Sequence, residues 1–355
     1  MGYNLDLQLK ISQQANSIID TLPRFAYKFF NSLRDQGMSE RTRLQYAYDM
    51  QRFFGYLQNQ PSFKDVNFKS ATAEETIGVL TLDDIQEYIS TLQTYTRLDK
   101  HGQEVTKLAS PAIKARRVSS LRSFYKYYFK IGEIKSNLAE LIDVPSIPDH
   151  TIKVMSKEDV ERILAVVKDT EGMNDKAKAR HEKIMKRDYA IMMLFFGTGL
   201  RVSELVGIDT YDIDFYNASI LVTRKGGDQD EVFFGPEVED ALLDYYDNER
   251  SMFVKPGNEE GPFFLSRQYS RISVRSVETL IKSYAKKAGL NMSVTPHTLR
   301  RTFGTNLYEE TSDIYLVADA LHHSSVETTR KHYAQMSKDH KRIAAKKSSS
   351  LFKKG

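Results

Sequence analysis

The periodic spacing of hydrophobic residues is interrupted between residues 143 and 155. This stretch carries Pro145 and Pro148, and each proline restricts the residue before it to an extended conformation. We therefore predict a linker over residues 143–155, which divides the 355 residues into two domains of ordinary size. A hydrophobic content of 41% and an aromatic content of 11% are enough to give both domains a core.

Residues 1–142 are predicted to form a bundle of helices, because apolar residues recur there at helical spacing. Ser39 and Thr81 stand where a side chain can cap a helix, and Ser110-Pro111 places a proline at a first helical position. Residues 1–22 can add one further N-terminal helix. The first domain is therefore expected to be helical throughout.

Positive charge is concentrated in two stretches, although the formal net charge is only +4. Basic residues between positions 106 and 135 stand against a single acid, Glu133, and residues 337–355 are similarly basic. Such clusters can contact a phosphate backbone, and a solvated helix face is the ordinary alternative. The candidate DNA contacts are Arg41, Arg43, Lys114, Arg116, Arg117 and Arg122.

The residue types that are absent exclude several kinds of site. Without cysteine there is no disulfide framework, thiolate zinc site or cysteine nucleophile, and a cytoplasmic location is expected. The first ten residues lack a signal-peptide pattern, and the longest apolar run, residues 191–196, is too short to span a membrane. No membrane association is expected.

The second domain is predicted to open with a helix capped by Ser156, followed by a loop or peripheral helix over residues 169–186. An apolar helix over residues 188–196 then ends at Gly197-Thr-Gly199, whose glycines permit a sharp turn. This turn places Arg201 at the N-terminus of the next helix, where the helix dipole and the guanidinium would face the same anion. Glu204, one turn later, is expected to be a buried partner of an arginine and not a catalyst.

Two β-rich runs, at residues 219–224 and 231–234, predict a hairpin whose turn carries Lys225. A lysine on a turn is usually a solvated surface residue, so the pattern alone assigns it no role. Arg224 beside it is the alternative candidate.

Four motifs in the last two-fifths of the chain together suggest phosphoryl transfer without a metal. They are Arg201 in Gly-Thr-Gly-Leu-Arg-Val-Ser-Glu, His297-Thr-Leu-Arg300, His322-His323-Ser-Ser, and Tyr333 in Arg-Lys-His-Tyr-Ala. Two guanidiniums can grip a phosphate in bidentate fashion, histidines move protons near neutral pH, and a tyrosine hydroxyl can form a phosphotyrosine. Each motif alone has an ordinary structural explanation, and their joint order carries the prediction.

In this order the motifs resemble the active site of the tyrosine recombinases, the phage-integrase and Xer-type family, over residues 156–334. The resemblance implies a mainly α fold, with an N-terminal helical core-binding (SAM-like) domain over residues 1–142. A mixed α/β catalytic domain with a small β-hairpin sheet would follow over residues 156–336.

The same resemblance implies that double-stranded DNA carrying a recombination site is the substrate. Two protomers would bind each site, four would form a homo-tetramer on DNA, and an accessory DNA-bending or host protein would assist. The basic tail over residues 337–355 would be exchanged between protomers, and a disordered tail is the alternative.

Six catalytic residues are implied by the resemblance: Arg201, Lys225, His297, Arg300, His323 and Tyr333. The two arginines would hold the non-bridging oxygens, and His297 would accept the proton of the attacking Tyr333. His323 would donate a hydrogen bond to a non-bridging oxygen, and Lys225 would protonate the departing 5′ oxygen. The attack would leave a 3′-phosphotyrosine, and no cofactor, metal ion or ATP is expected.

Several positions depart from the family pattern. His322 stands where glycine is common, so His322 and His323 both remain candidate ligands, with alignment favouring His323. The interval from His323 to Tyr333 is one residue longer than is common. His332 has no assigned role, and Arg301 stands where a third histidine is common.

The sequence is also compatible with two alternative functions. A type IB topoisomerase uses a similar set of residues to relax DNA without exchanging partners, and a DNA-binding protein could retain the set as a relic. The sequence does not separate the integrase of a mobile element from a chromosome-dimer resolvase.

Overall fold

The computed structural model describes residues 3–98, 102–146, 153–224, 227–257, 259–322 and 326. Over these residues the protein is mainly helical, with two small antiparallel sheets. The chain divides into two compact units, Met1–His150 and Thr151–Gly355, and each buries its own apolar side chains. The mainly α fold class is therefore confirmed.

Within its described residues the first unit contains five α-helices and one hairpin, besides the short 3-10 and π helices at Pro61–Phe63, Glu74–Gly78 and Leu138–Leu141. The α-helices and strands are α1 (Tyr3–Ile19), α2 (Ala26–Asp35), α3 (Glu40–Gln58), α4 (Leu82–Thr91), β1 (Thr94–Leu98), β2 (Glu104–Leu108) and α5 (Pro111–Lys130).

Three helices of this unit begin at the caps that the sequence predicts. The hydroxyls of Ser39, Thr81 and Ser110 each accept the backbone N–H of the third helical residue. Pro111 occupies the first position of α5, where its missing N–H costs no hydrogen bond. Helix α1 lies within residues 1–22, where the sequence allows one further N-terminal helix.

Aromatic side chains fill the core of the first unit. The ring of Phe124 lies 4.9–6.1 Å, between centroids, from the rings of Tyr128, Phe29, Phe54 and Phe25. The buried hydroxyl of Tyr128 donates to the carbonyl oxygen of Phe25 at 2.6 Å. These contacts fasten α5 to α2 and α3, so the basic face of α5 is held on a rigid helix.

The expectation that the first unit is helical throughout is wrong between α4 and α5. Strands β1 and β2 pair antiparallel there, with Thr94 opposite Leu108 and Thr96 opposite Thr106. The strands are short and largely exposed, so no buried apolar alternation marks them in the sequence.

The second unit combines helices with a three-stranded sheet. Its α-helices and strands are α6 (Lys157–Lys168), α7 (Asp175–Glu182), α8 (Met185–Thr198), α9 (Val202–Gly207), β3 (Ile213–Asp214), β4 (Ser219–Thr223), β5 (Gln229–Phe233), α10 (Pro236–Asn248), α11 (Val274–Lys287), α12 (Pro296–Thr311) and α13 (Ile314–Ala320), and short 3-10 helices lie at Thr210–Asp212 and Arg250–Phe253.

Local signals in the second unit also produce the expected elements. Ser156 caps α6, and α7 lies within residues 169–186, where the sequence predicts a loop or a peripheral helix. The sheet order is β3-β4-β5, in which β4 and β5 form the predicted hairpin. Buried Ile191, Leu194 and Phe195 make α8 the central helix of the core. No helix in the described ranges is both long enough and apolar enough to cross a membrane.

Candidate active site

Arg201 is presented by a turn between two helices. Helix α8 ends at Gly199, which adopts the left-handed conformation with φ 62°, and Arg201 stands immediately before α9. The side chain of Arg201 is 37% exposed, and its Nη1 donates to Glu204 Oε1 at 2.8 Å. The turn therefore holds a partly exposed guanidinium in a fixed position.

Arg300 reaches the same turn from α12. Its Nη1 donates to the carbonyl oxygen of Gly199 at 2.6 Å, and its Nη2 donates to the carbonyl oxygen of Leu321. The carbonyl oxygen of His322, the next residue, accepts from Arg201 Nη2 at 3.4 Å. The predicted arginines thus converge on two neighbouring turns, with Arg300 buried and Arg201 partly exposed.

His297 lies in the first turn of α12, three residues before Arg300 on the same helix. Thr295 caps this helix, and Pro296 occupies its first position. The His297 side chain is exposed, whereas Arg300 is only 5% exposed. Residues three apart on a helix share one face, so His297 stands at the accessible edge of the face that carries Arg300.

Glu204 is the buried carboxylate that was expected to partner an arginine, and this prediction is confirmed. Its side chain is 2% exposed, and its Oε2 accepts the backbone N–H of Arg201 at 2.8 Å. Burial alone would raise the pKa of Glu204, but the hydrogen bonds from Arg201 and the charge of Arg224 hold that pKa below its usual value. Glu204 is therefore ionised at neutral pH and places a negative charge beside Arg201.

The β4–β5 hairpin supplies a second arginine to this carboxylate. Arg224 Nη1 donates to Glu204 Oε2 at 2.9 Å, and Arg224 Nη2 donates to Asp230 Oδ2 at 2.7 Å. Arg224 is only 7% exposed. Arg224 is therefore a buried structural partner of both Glu204 and Asp230.

Three of the six predicted catalytic residues, Lys225, His323 and Tyr333, lie outside the described residues, as does His332. Arg224, which precedes Lys225, and His322, which precedes His323, are described, and both lie in the network around Arg201. His322 has φ 45°, and its Nδ1 lies 3.1 Å from Asp230 Oδ2. Arg301 has a buried Nε without a hydrogen-bond partner among the described residues, and nothing in the structure explains it.

Three predicted DNA contacts of the first unit retain accessible surface. Arg41 is exposed, Arg122 is half-buried, and Lys114 is half-buried with its Nζ donating to Gln93 Oε1 at 2.8 Å. A surface lysine hydrogen bond of this kind is easily exchanged for a phosphate contact.

Two further predicted contacts on α5 share a buried carboxylate, Asp49. Arg116 forms an ion pair with Asp49 and keeps 34% of its side chain exposed. Arg117 Nε lies 3.9 Å from Asp49 Oδ1, and its side chain is only 11% exposed. Arg116 therefore remains available to a ligand, whereas Arg117 is mostly enclosed.

The expectation of a DNA contact at Arg43 is corrected by the structure. Its side chain is 3% exposed, and its Nη2 donates to Asn16 Oδ1 at 2.5 Å while Nη1 donates to Glu40 Oε2 at 2.9 Å. Arg43 faces α1 because α1 covers that side of α3. It acts in helix packing and not at the surface.

Comparison with known proteins gives a match to one family over most of the second unit. The sequence profile of the phage integrase family matches residues 153–340, which is more than half of the chain. This chain belongs to the phage integrase family.

Within the described residues, no group of three His, Cys, Asp or Glu side chains is arranged to hold a metal ion.

Relatives of this phage integrase family member include tyrosine recombinases. Tyrosine recombinase XerC of Thermodesulfovibrio yellowstonii is 28% identical over 305 residues, covering 85% of this chain and 88% of that protein. Tyrosine recombinase XerC of Syntrophus aciditrophicus is 32% identical over 231 residues, covering 62% of this chain and 68% of that protein.

Solved structures share the fold of this phage integrase family member. The XerH site-specific recombinase bound to palindromic difH substrate has a TM-score of 0.64 at 18% identity, covering 96% of this chain and 95% of that chain. A lambda integrase dimer bound to a core site has a TM-score of 0.59 at 15% identity, covering 85% and 94%.

The structure adds groups to the site that the sequence analysis did not select. Asp230 contacts both Arg224 and His322, and the carbonyl oxygens of Gly199 and Leu321 accept from Arg300. An acid six residues after Arg224, across a predicted turn, is a signal that could have indicated the Asp230 pair. Backbone carbonyl acceptors leave no signal in a sequence.

Proposed function

We propose that this protein is a site-specific DNA recombinase that cleaves and rejoins strands through a 3′-phosphotyrosine on Tyr333. The observation that carries the proposal is the convergence of Arg201 and Arg300 on the turns at Gly199 and at Leu321, in a member of the phage integrase family. Two guanidiniums in fixed positions match the charge distribution of a phosphodiester during in-line attack.

The reaction requires that phosphate charge be neutralised and that both bridging oxygens exchange protons. Arg201 and Arg300 would stabilise the charge on the non-bridging oxygens, and each preorganised donor of this kind contributes about 10²–10³ in rate. His297 would accept the proton of the Tyr333 hydroxyl, whose unperturbed pKa is about 10. His323 would donate a hydrogen bond to a non-bridging oxygen.

The leaving group is the 5′ oxygen, which needs a proton as the phosphorus–oxygen bond breaks. Lys225, on the turn between β4 and β5, would donate it. The phosphotyrosine ester keeps the energy of the broken bond, so the 5′ hydroxyl of another strand can reverse the step. Neither ATP nor a metal ion is required by this chemistry.

Recombination of two sites calls for four active sites, so we propose a dimer on each site and a homo-tetramer on DNA. The basic residues after position 337 would exchange between protomers and connect cleavage in one subunit to its neighbour. An accessory DNA-bending or host protein would assist assembly. Reaction on chromosomal DNA would place the protein in the cytoplasm, at the nucleoid.

The experiment that tests this function is a search for a covalent protein–DNA adduct. Nicked duplexes from the DNA that flanks the gene are incubated with the natural protein and with Tyr333→Phe, and are resolved on a denaturing gel. We expect an adduct with the natural protein and none with the variant, because phenylalanine lacks the attacking oxygen.

Two other results would change the conclusion. Relaxation of supercoiled plasmids regardless of sequence, without strand exchange, would make the protein a type IB topoisomerase. Tight DNA binding with no adduct on any fragment, with or without host extract, would leave a DNA-binding protein.

A further inference from the structure

The base of the β4–β5 turn carries a short chain of charged contacts. Arg224 and Asp230 stand at its two ends, and Asp230 Oδ2 accepts from both Nε and Nη2 of Arg224, at 3.1 and 2.7 Å. The backbone N–H of Arg224 also donates to the carbonyl oxygen of Asp228 at 2.7 Å. These bonds join the two ends of the turn. They are shielded from solvent, because the Arg224 side chain is only 5% exposed.

The same arginine fixes the turn relative to Arg201. Glu204 binds Arg224 through Oε2 at 2.9 Å and Arg201 Nη1 through Oε1 at 2.8 Å. One buried carboxylate is thus shared between an arginine of the hairpin and an arginine of the phosphate site. Planar guanidiniums and a planar carboxylate have few ways to meet, so the shared contact sets both distance and orientation.

Asp230 extends the connection to the turn after α13. Its Oδ2 lies 3.1 Å from His322 Nδ1, and the carbonyl oxygen of His322 accepts from Arg201 Nη2 at 3.4 Å. The contacts therefore form a closed ring through Arg201, Glu204, Arg224, Asp230 and His322. Three separate parts of the catalytic unit meet in this ring.

We propose that Arg224 and Asp230 are positioning residues that clamp the β4–β5 turn onto the carboxylate under Arg201 during strand cleavage. Lys225 follows Arg224 directly, so the clamp sets the point from which the proposed proton donor reaches the 5′ oxygen. Neither residue touches the phosphate in this assignment. The proposal rests on the proposed recombinase function, because it concerns the same active site.

Substitutions in the ring can cause two different defects in strand cleavage. Loss of the Asp230 charge loosens the turn but leaves the Glu204–Arg201 pair in place. Loss of the Glu204 charge disturbs Arg201 itself. A defect in delivering the leaving-group proton is relieved when the leaving group needs no proton, whereas a defect in holding the non-bridging oxygens is not.

The test uses a cleavable duplex in which sulfur replaces the bridging 5′ oxygen of the scissile phosphate. A thiol has a pKa of about 8.5, so a thiolate departs without the proton that an alkoxide requires. On ordinary DNA, we expect Asp230→Asn and Arg224→Lys to form adduct about 10–100 times more slowly than the natural protein. On the sulfur-containing DNA, both variants should form adduct at a rate within about threefold of that of the natural protein.

Three variants serve as references. Asp228→Asn makes the same charge change at an exposed position of the same turn. Its rate of adduct formation should stay within about twofold of that of the natural protein on both substrates. Asp230→Glu keeps the charge and should recover most of the rate. Glu204→Gln should remain slow on the sulfur-containing DNA, because Arg201 is displaced.

Two results would overturn the clamp. One is an Asp230→Asn adduct rate equal to that of the natural protein on ordinary DNA. The other is an equal loss on both substrates for Asp230→Asn and Arg224→Lys, measured with DNA affinity and melting temperature unchanged. Failure of the natural protein to form any adduct would instead reject the proposed function, so the two failures are distinguishable.

Discussion

At the scale of single residues, Gly199 joins the two arginines of the candidate site. Its positive φ is a conformation that side chains with a Cβ rarely adopt, and a Cβ there would collide with the ring of Phe303 and press on Leu321. Its own carbonyl oxygen and that of Leu321 both accept from Arg300. The absence of a side chain at Gly199 is therefore a condition for the position of Arg300.

We expect Gly199→Ala to lower the free energy of unfolding by about 2–4 kcal/mol, since backbone strain and overpacking add. Adduct formation should also slow, because movement of Leu321 displaces an acceptor of Arg300. Gly289→Ala is the matched control: Gly289 has φ 66°, close to that of Gly199, but a Cβ there meets nothing within 4 Å. Urea denaturation of both variants makes the comparison, and equal losses would show that φ alone, and not contact with Phe303 and Leu321, accounts for the effect.

At the scale of elements, the start of α9 depends on one carboxylate. Glu204 accepts the backbone N–H of Arg201 and binds the guanidiniums of Arg201 and Arg224. The backbone hydrogen bond determines the residue at which α9 begins. The two ion pairs determine the positions of the Arg201 and Arg224 guanidiniums. A short helix of six residues has little stability of its own, so these contacts largely determine its position.

We expect Glu204→Gln to lower the free energy of unfolding at pH 7 by about 3 kcal/mol, because the buried Arg224 then loses one of its two carboxylate partners. The pKa of Glu204 is lower in the folded protein than its usual 4.5, so its stabilisation is complete above pH 4.5 and is lost as pH falls through the folded pKa. The difference between the natural protein and the variant should therefore shrink in acid.

Urea denaturation at pH 7 and at several values below pH 4.5 measures this difference. Glu237→Gln, an exposed carboxylate in the first turn of α10, is the control and should change stability little at any of these values. A Glu204→Gln loss that stayed constant into acid would mean that packing, and not charge, is responsible.

Elements with local signals could be predicted from the sequence, and those without could not. Caps such as Ser39, Thr81 and Ser110 act within three residues, so the sequence contains the whole interaction. The β1–β2 hairpin has exposed faces and was missed, because period-2 burial is the signal by which strands are recognised.

The same distinction applies to the candidate site. Arg201 was placed correctly at a helix start, since glycines beside it determine the turn. The burial of Arg43 behind α1 and the approach of Asp230 to His322 depend on packing between segments distant in sequence. Charge in the sequence indicates which residues can pair, and only the fold decides which of them do.

At the scale of the whole molecule, the chain is built from two compact units that each have a core. Basic surface on the first unit, including Arg41 and Arg116, and the arginine site of the second unit are both suited to phosphate. We propose that residues 143–155 act as the linker between a DNA-binding unit and a catalytic unit. Once one unit has bound the DNA, the linker keeps the other unit at a high effective concentration near the same DNA molecule.

Cleavage of the chain within residues 143–155 should therefore weaken DNA binding without unfolding either unit. With a protease site inserted there, we expect the affinity for a site-containing duplex to fall at least about hundredfold after cleavage, because the second contact is no longer intramolecular. Fluorescence anisotropy at fixed salt measures the affinity, and far-UV circular dichroism checks that helix content is retained. A chain with an uncleavable version of the insert, treated with the same protease, is the control. Retained affinity after complete cleavage would mean that one unit makes essentially all of the DNA contacts. The proposal that both units contribute to DNA binding would then be rejected.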